Sequence, residues 1–199
     1  VTTKMWLEKL GIPTVPWMFV NKNIELDEAK LSSFFKDNAQ DVFIKAASQG
    51  SSIGCFHVKD EKEIVNKVKE AFTYSDNVLI EKTIKARELE IAAFEYNDEI
   101  IISEPGEISC PQGFYSYEQK YSASSHASTN IRAKNVDKEL TEQMKANALM
   151  AFKALGLRHL SRIDFFYTDT QTYLNEINTF PRMTPTSMFP QILDATGIA

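Results

Sequence analysis

The spacing of apolar residues predicts an alternation of helices and strands along the chain. After Asp60, the apolar positions Ile64 and Val68 recur every three or four residues, which is typical of a helix with one buried face. Asp60 and Glu63 form the N-terminal capping signature of that helix. Further helices are predicted at 3–11 and 137–155, and strands at 42–45, 78–81, 88–94, 100–102, 162–167 and 173–178. This mixture predicts an α+β or mixed α/β fold.

The pattern changes after Glu81. Apolar and polar residues alternate with period two through 88–94, and a short apolar run follows at 100–102, which predicts antiparallel strands with one covered face. We therefore divide the chain into two subdomains, 1–84 and 85–199. The polar and aromatic segment 110–133 has no clear period and is long for a connection, which is typical of a functional lid or a disordered loop.

The composition of the chain disfavours several classes of function. Lysine and arginine number 22 and aspartate and glutamate 27, so the net charge is 22 − 27 = −5, and no basic run stands out. Binding to nucleic acid through the phosphate backbone is therefore disfavoured. No apolar stretch approaches the ~20 residues that span a bilayer. Only two cysteines occur, Cys55 and Cys110, and they form no CxxC pair, which indicates a reducing compartment such as the cytoplasm.

Two polar residues on each of the last two strands share one face of a predicted hairpin. If the loop 168–172 joins the strands symmetrically, Asp164 lies opposite Glu176 and Arg162 lies opposite Asn178. Two carboxylates that face each other repel, and a hard divalent cation removes that cost. The hairpin therefore indicates a Mg²⁺ site, while a solvated polar face is the competing interpretation.

A small-residue loop follows the strand that carries Lys45. Gly50-Ser51-Ser52-Ile53-Gly54 can cradle phosphate through its backbone N–H groups. Its spacing matches neither standard nucleotide loop, so a plain flexible turn is the commoner explanation of such a segment. Lys45 ends an apolar run, where a partly buried ammonium requires an anionic partner. That partner is either a carboxylate of the chain or a nucleotide phosphate.

Four segments, in order, resemble the D-alanine–D-alanine ligases of the ATP-grasp superfamily. They are FIKAASQGSSIG at 43–54, VLIE at 78–81 with Arg87-Glu88 following, FYSYEQKY at 114–121, and RIDFF at 162–166 with NEINT at 175–179. The last is the most specific, and SMFP at 187–190 follows it. The resemblance implies an α+β ATP-grasp fold in which two α+β subdomains grip a nucleotide, with ATP and D-alanine as the partners.

The resemblance also implies a role for individual residues. ATP would phosphorylate the carboxylate of one D-alanine, and the amine of a second would attack the acyl phosphate. The implied nucleotide contacts are Lys4, Lys45, Glu81, Ile84 and Glu88. The implied catalytic residues, including those of the loop and lid, are Ser51, Lys120, Tyr121 and Arg162. The implied ligands of Mg²⁺ or Mn²⁺ are Asp164, Glu176 and Asn178, and the implied substrate contacts are Arg182, Ser187 and Met188.

Two departures from the family qualify these expectations. Members carry a leading domain before the opening helix and a further helix after residue 199, so the chain is expected to be a fragment that is inactive alone. Arg182 stands where the family has glycine, which predicts crowding or backbone strain and weak turnover.

The alternatives are therefore a nucleotide-binding protein without ligase activity, and a ligase with another acceptor such as D-serine. By the resemblance, Tyr121 disfavours D-lactate as the acceptor. A homodimer of the full-length form is compatible with the resemblance.

Overall fold

The computed structural model describes residues 1–109, 128–185 and 187–197. The helices in these ranges are α1 Thr2–Lys9, α2 Glu28–Asp37, α3 Glu61–Ala71, α4 Lys138–Ala154 and α5 Met188–Ala195. The strands are β1 Trp17–Asn21, β2 Val42–Ala46, β3 Cys55–Val58, β4 Asn77–Lys82, β5 Arg87–Tyr96, β6 Glu99–Ile102, β7 Gly106–Ser109, β8 Ser128–Asn130, β9 Leu160–Tyr167 and β10 Thr172–Asn178. No helix in the described ranges is both long enough and apolar enough to span a bilayer.

Contacts within the chain define two compact units. The described part of the first unit is Val1–Thr3 and Val15–Ile84, and that of the second is Lys4–Thr14, 85–109, 128–185 and 187–197. Leu7 and Ile12 are buried in the core of the second unit, so residues 4–14 group differently from the division made on the sequence. The assignment of 1–84 and 85–199 as functional subdomains stays a prediction.

The first unit is a four-stranded antiparallel sheet with two helices on one face. Its strand order is β1-β4-β2-β3. Phe35 of α2 and Ile64 and Val68 of α3 are buried against alternate residues of the sheet. The predicted cap of α3 is confirmed, because the Asp60 side chain accepts a hydrogen bond from the Lys62 backbone N–H at 3.0 Å. The strands β1 and β3 and the helix α2 were not predicted.

The second unit is a six-stranded sheet with the order β10-β9-β5-β7-β8, and β6 pairs with β5. Helix α4 packs on one face, where its buried side chains Met144, Ala148 and Phe152 belong to the same core as Leu89 and Ile163. The predicted helix at 137–155 is confirmed, and its N-terminus is capped by the Asp137 side chain, which accepts a hydrogen bond from the backbone of residue 140.

The expectation that β5 has one covered face is wrong. The residues from Leu89 to Phe94 are all buried. Helix α5, which the apolar pattern did not predict, covers part of the second face through a cluster of Met188, Phe189 and Ile192 with Ala92. Gly106 permits this approach, since a Cβ there would lie 2.8 Å from the Met188 sulfur.

The predicted lid at 110–133 is only partly within the described residues. Residues 110–127, including Lys120 and Tyr121, lie outside them. Residues 128–130 form β8, which pairs with β7 so that Ser109 lies opposite Ser128. The predicted end of the lid at Ala133 is therefore wrong, because the chain has already rejoined the sheet at Ser128.

Candidate active site

The register of β9 and β10 changes by one residue along the hairpin. Near the turn, Thr172 lies opposite Tyr167 and Leu174 lies opposite Phe165, whereas further along Glu176 lies opposite Asp164. Asn175 is the extra residue between these two registers. It forms a β-bulge, a feature that can redirect the side chains that follow it.

The bulge decides which face of the sheet receives Glu176. Side chains two apart on a regular strand point the same way, so Glu176 would otherwise share the buried face of Leu174. With the bulge, Glu176 joins the face of Asp164, and Ile177 packs against the apolar core instead. The predicted pairings of Asp164 with Glu176 and of Arg162 with Asn178 are confirmed, but the symmetric loop that was expected to produce them is wrong.

Hydrogen bonds join four polar side chains on this face. Arg162 donates from Nε and Nη2 to the two oxygens of Asp164, each at 2.8 Å. Asn178 donates from Nδ2 to Asp164 Oδ2 at 3.0 Å and to Glu176 Oε1 at 3.2 Å. The paired guanidinium and carboxylate of Arg162 and Asp164 therefore lie beside a second carboxylate.

Glu90 belongs to the same group and was missed by the sequence analysis. It lies on β5 directly opposite Asp164, and its side chain is only 5% exposed. Its Oε1 lies 3.3 Å from Arg162 Nε, while Oε2 is buried with no hydrogen-bond partner within the described residues. The sequence shows the alternation that places Glu88 and Glu90 on one face of a strand. It does not show that both faces of β5 are buried, and only this burial distinguishes Glu90 from a solvated carboxylate.

Burial, together with three carboxylates beside one guanidinium, raises the pKa values of two of these carboxyl groups. Burial, and then the charge of Asp164, raises the pKa of Glu90 to about 8. Burial likewise raises the pKa of Asp164 to about 7, although the hydrogen bond and charge of Arg162 oppose this effect. The cluster is therefore expected to take up a proton near neutral pH when no cation is bound.

These raised pKa values predict that the folded chain loses stability as pH rises. The ordinary pKa of glutamate is about 4.3, so between about pH 4 and pH 8 the folded form holds a proton that the unfolded form has lost. The free energy of unfolding should fall across that range. Thermal unfolding at about pH 5 and about pH 8 should show a smaller fall in Glu90→Gln than in the unmodified chain. Equal falls in the two proteins would contradict the raised pKa of Glu90.

The oxygen-bearing side chains fit a hard divalent cation. Carboxylate and amide oxygens suit Mg²⁺, which keeps several waters and needs few protein ligands. Asn178 now directs its amide nitrogen at both carboxylates, so a 180° turn of the amide is needed to present its oxygen. Among the described residues, no group of three or more histidine, cysteine, aspartate or glutamate side chains gathers closely enough to hold a metal ion. The candidate set therefore depends on Asn178 as well as on Asp164 and Glu176.

In the first unit, Lys45 of β2 forms an ion pair with Glu81 of β4. The Glu81 side chain is 3% exposed and that of Lys45 is 29% exposed. The carboxylate partner that the sequence analysis considered for Lys45 is therefore present. Contact of Lys45 with phosphate and of Glu81 with nucleotide stays a prediction.

The loop that carries Ser51 is anchored to the turn after α3. Gln49 donates from Nε2 to the Tyr74 carbonyl at 2.8 Å, and Ile53 N–H donates to the Gly50 carbonyl at 3.1 Å. Ser51 and Ser52 hold φ angles of 56° and 62°, in the left-handed region that non-glycine residues seldom occupy. Such backbone strain clusters at functional sites and requires firm anchoring.

Gly54 is the tightest point of this anchor. Its φ is +67°, and a Cβ there would lie 2.8 Å from Ala46 Cβ and 3.0 Å from the Tyr74 ring. Gly54→Ala should lower the free energy of unfolding by about 2 kcal/mol or more, through the positive φ and overpacking. Gly50→Ala is the matched control, because no atom lies within 4 Å of its Cβ position. Chemical denaturation of both variants measures the difference, and equal stabilities would contradict this account of the loop.

The remaining implied residues occupy varied environments. Lys4 is buried in the second unit, and Ile84 and Glu88 are half-buried. Ser187 precedes α5, with its hydroxyl 2.7 Å from Thr184 Oγ1. The Met188 side chain is buried in the α5 cluster, so any contact with substrate must come from its backbone.

Arg182 does not show the predicted strain. Its side chain is exposed, and it is absent from the residues with a positive φ. The backbone at this position is therefore one that arginine adopts without the cost expected for a glycine conformation. Its effect on turnover stays a prediction.

Comparisons with known proteins agree with this geometry. The family profile described as "D-ala D-ala ligase C-terminus" matches residues 6–199. The D-alanine–D-alanine ligase of Vibrio campbellii is 49% identical over 200 residues, which cover 99% of this chain and 60% of that protein. The crystal structure of D-alanyl-alanine synthetase A from Vibrio cholerae superposes with a TM-score of 0.89 at 46% identity, over 98% of this chain and 59% of that one.

A structure with lower sequence identity to this chain was solved in complex with a nucleotide. The D-alanine–D-alanine ligase of Bacillus anthracis complexed with ATP has a TM-score of 0.79 at 26% identity, over 98% of this chain and 59% of that one. The antiparallel sheets and their structural neighbours define the ATP-grasp fold. Within that fold, the chain belongs to the family of D-alanine–D-alanine ligase C-terminal domains. It spans about 60% of the length of the curated relatives it matches.

Proposed function

We propose that this chain is the nucleotide-binding and metal-binding part of an ATP-dependent D-alanine–D-alanine ligase. The observation that carries the proposal is the cluster of Arg162, Asp164, Glu176 and Asn178, which occurs in a chain 49% identical to such a ligase. In the first step, ATP phosphorylates the carboxylate of one D-alanine and ADP remains. In the second step, the amine of another D-alanine attacks the acyl phosphate, so that a peptide bond forms and phosphate leaves.

Phosphoryl transfer depends mainly on positioning and on neutralising charge. Lys45 and Lys4 are proposed to bind ATP phosphates, and the buried Glu81 carboxylate holds the Lys45 ammonium in place. Asp164, Glu176 and Asn178 would hold Mg²⁺ or Mn²⁺. When bound, the cation supplies charge that neutralises the phosphate oxygens. Ser51, Lys120 and Tyr121 are proposed to act around the phosphates through the loop and the lid.

The second step develops negative charge on the carbonyl oxygen of the acyl phosphate. Arg162 is proposed to stabilise this oxyanion, because a guanidinium donates hydrogen bonds in a fixed geometry. Asp164 pairs with the Arg162 guanidinium through both of its oxygens and holds it on the polar face of the sheet. The Ser187 hydroxyl, at the N-terminus of α5, is proposed to bind the carboxylate of the acceptor.

The test is release of phosphate from ATP that depends on D-alanine. It is measured in a full-length fusion, in which this chain is joined to the N-terminal part of the Vibrio cholerae relative. The proposal expects D-alanyl-D-alanine by mass spectrometry, with one phosphate released for each dipeptide. D-Serine as a competing acceptor tests the alternative ligase. ATP binding without phosphate release would support the nucleotide-binding alternative and contradict the proposal.

The cellular role follows from the proposed product. A D-alanyl dipeptide is a precursor of peptidoglycan, and a reaction that consumes ATP fits the cytoplasm. The two cysteines also favour a reducing compartment. Sedimentation of the full-length fusion would test whether it forms a homodimer.

A further inference from the structure

Glu90 has no role in the assignments above, although it is among the most enclosed charged groups of the second unit. Its side chain is 5% exposed. Burial of a carboxylate is costly unless charge or hydrogen bonds compensate it. One of its oxygens, Oε2, has no hydrogen-bond partner within the described residues. The structure thus contains an acceptor that is enclosed but not used.

Arg162 and the proposed cation compete for Asp164. Both Asp164 oxygens accept hydrogen bonds from Arg162 at 2.8 Å. A hard cation takes carboxylate oxygens as ligands. The cation draws on the same negative charge that holds Arg162, so it repels the guanidinium and weakens or breaks these bonds. A guanidinium with a side chain only 22% exposed cannot recover the lost bonds from bulk water without moving.

Glu90 lies where it can replace the lost partner. Its Oε1 is already 3.3 Å from Arg162 Nε. The register of β5 and β9 places Glu90 opposite Asp164 and Ala92 opposite Arg162, so Glu90 is a diagonal neighbour of Arg162 on the same face. A small rotation of the guanidinium brings a second nitrogen toward Oε2.

We propose that Glu90 is a positioning residue that receives the Arg162 guanidinium when a divalent cation occupies Asp164. Glu90 thereby frees Asp164 for the cation and keeps Arg162 on the polar face, where the proposed oxyanion forms. This inference rests on the proposed function, because it requires Asp164 to hold a cation.

The inference predicts that the effects of Glu90 and Arg162 on cation binding depend on each other. Without the Glu90 charge, Arg162 remains on Asp164 and opposes the cation. Without Arg162, nothing competes for Asp164, so Glu90 has little left to do. A residue that acted only through its negative charge would have the same effect with or without Arg162.

The experiment measures the Kd of Mn²⁺ in the presence of a nonhydrolysable ATP analogue. Four proteins are compared: the unmodified chain, Glu90→Gln, Arg162→Met and the double variant. Glutamine keeps the shape of the side chain and removes its charge. We expect Glu90→Gln to raise the Kd about 10-fold in the unmodified background, as for partners that orient metal ligands. We expect a change of less than about twofold in the Arg162→Met background.

Glu107→Gln is the matched control. Glu107, on β7 of the same sheet, accepts hydrogen bonds from Arg87 at 2.7 and 2.9 Å, so it is also a carboxylate that pairs with an arginine. Its loss should leave the Kd of Mn²⁺ unchanged. An equal rise of the Kd in both backgrounds, or no rise at all, would overturn the inference. Absence of Mn²⁺ binding by the unmodified chain would instead overturn the proposed metal site, and the inference with it.

A crystal structure of the unmodified chain with Mg²⁺ and the analogue gives an answer that does not depend on variants. The inference expects two Arg162 nitrogens within hydrogen-bond distance of Glu90 and at most one on Asp164. An Arg162 that still bonds both Asp164 oxygens, with Glu90 no nearer than 3.3 Å, would contradict it.

Discussion

Replacing Arg162 by methionine in the full-length fusion should lower kcat by about 10²–10³-fold, the usual cost of removing one oxyanion donor. Methionine replaces the arginine side chain as far as the Nε position but donates no hydrogen bond. The affinity for ATP should change little, because Arg162 is assigned to the second step and not to the nucleotide. Steady-state kinetics with D-alanine and direct titration of ATP separate the two effects.

Arg158→Met is the control for this prediction. Arg158 lies before β9, its side chain is 75% exposed, and it makes a 3.5 Å ion pair with Glu95. Its loss should leave kcat within about twofold, since exposed ion pairs contribute little. If Arg162→Met were as active as Arg158→Met, Arg162 could not be the oxyanion donor.

Inserting one alanine between Asn175 and Glu176 should abolish Mn²⁺ binding and destabilise the chain by several kcal/mol. With the bulge kept at Asn175, the inserted alanine takes the place opposite Asp164, so Glu176 moves opposite Ile163 on the buried face and Ile177 is directed away from the core. A carboxylate buried without a partner costs several kcal/mol, even after relaxation of its surroundings. Thermal unfolding and Mn²⁺ titration measure the two losses.

Asn175→Ala is the control for the insertion. It keeps the residue count, and so the bulge, but removes the amide side chain. We expect its Mn²⁺ affinity to remain within about twofold and its stability to change by about 1 kcal/mol or less. If the two variants behaved alike, the register after Asn175 would not decide the position of Glu176.

Much of the fold could be predicted because its signals are local. The predicted cap at Asp60 depends on a side chain and the backbone two residues away. The strands that became β2, β4, β5, β9 and β10 also follow from short apolar or alternating runs. Helix α5 was missed because SMFP at 187–190 was interpreted only as a sequence motif.

The register of the β9–β10 hairpin could not be predicted from local sequence patterns. Its carboxylate pairing was predicted correctly for the wrong reason, because two errors cancelled. The loop was assumed to be symmetric, which is wrong near the turn, and the bulge at Asn175 then restores the assumed register. A prediction that assumes strict alternation of side chains cannot reveal a bulge. The spacing of Leu174 and Ile177, three residues apart yet both in contact with one core, is consistent with the bulge.

By itself, the sequence determined the helix caps, the strand runs and the residue types of the site, because each depends on neighbours along the chain. Only the tertiary structure decided which of those residues meet. The bulge places Glu176 beside Asp164, and the packing of α5 against β5 encloses the face that Glu90 occupies. The physical reason is that burial and register depend on contacts between residues distant in sequence. An acidic residue in an alternating strand therefore carries no sign of whether its carboxylate meets water or a guanidinium.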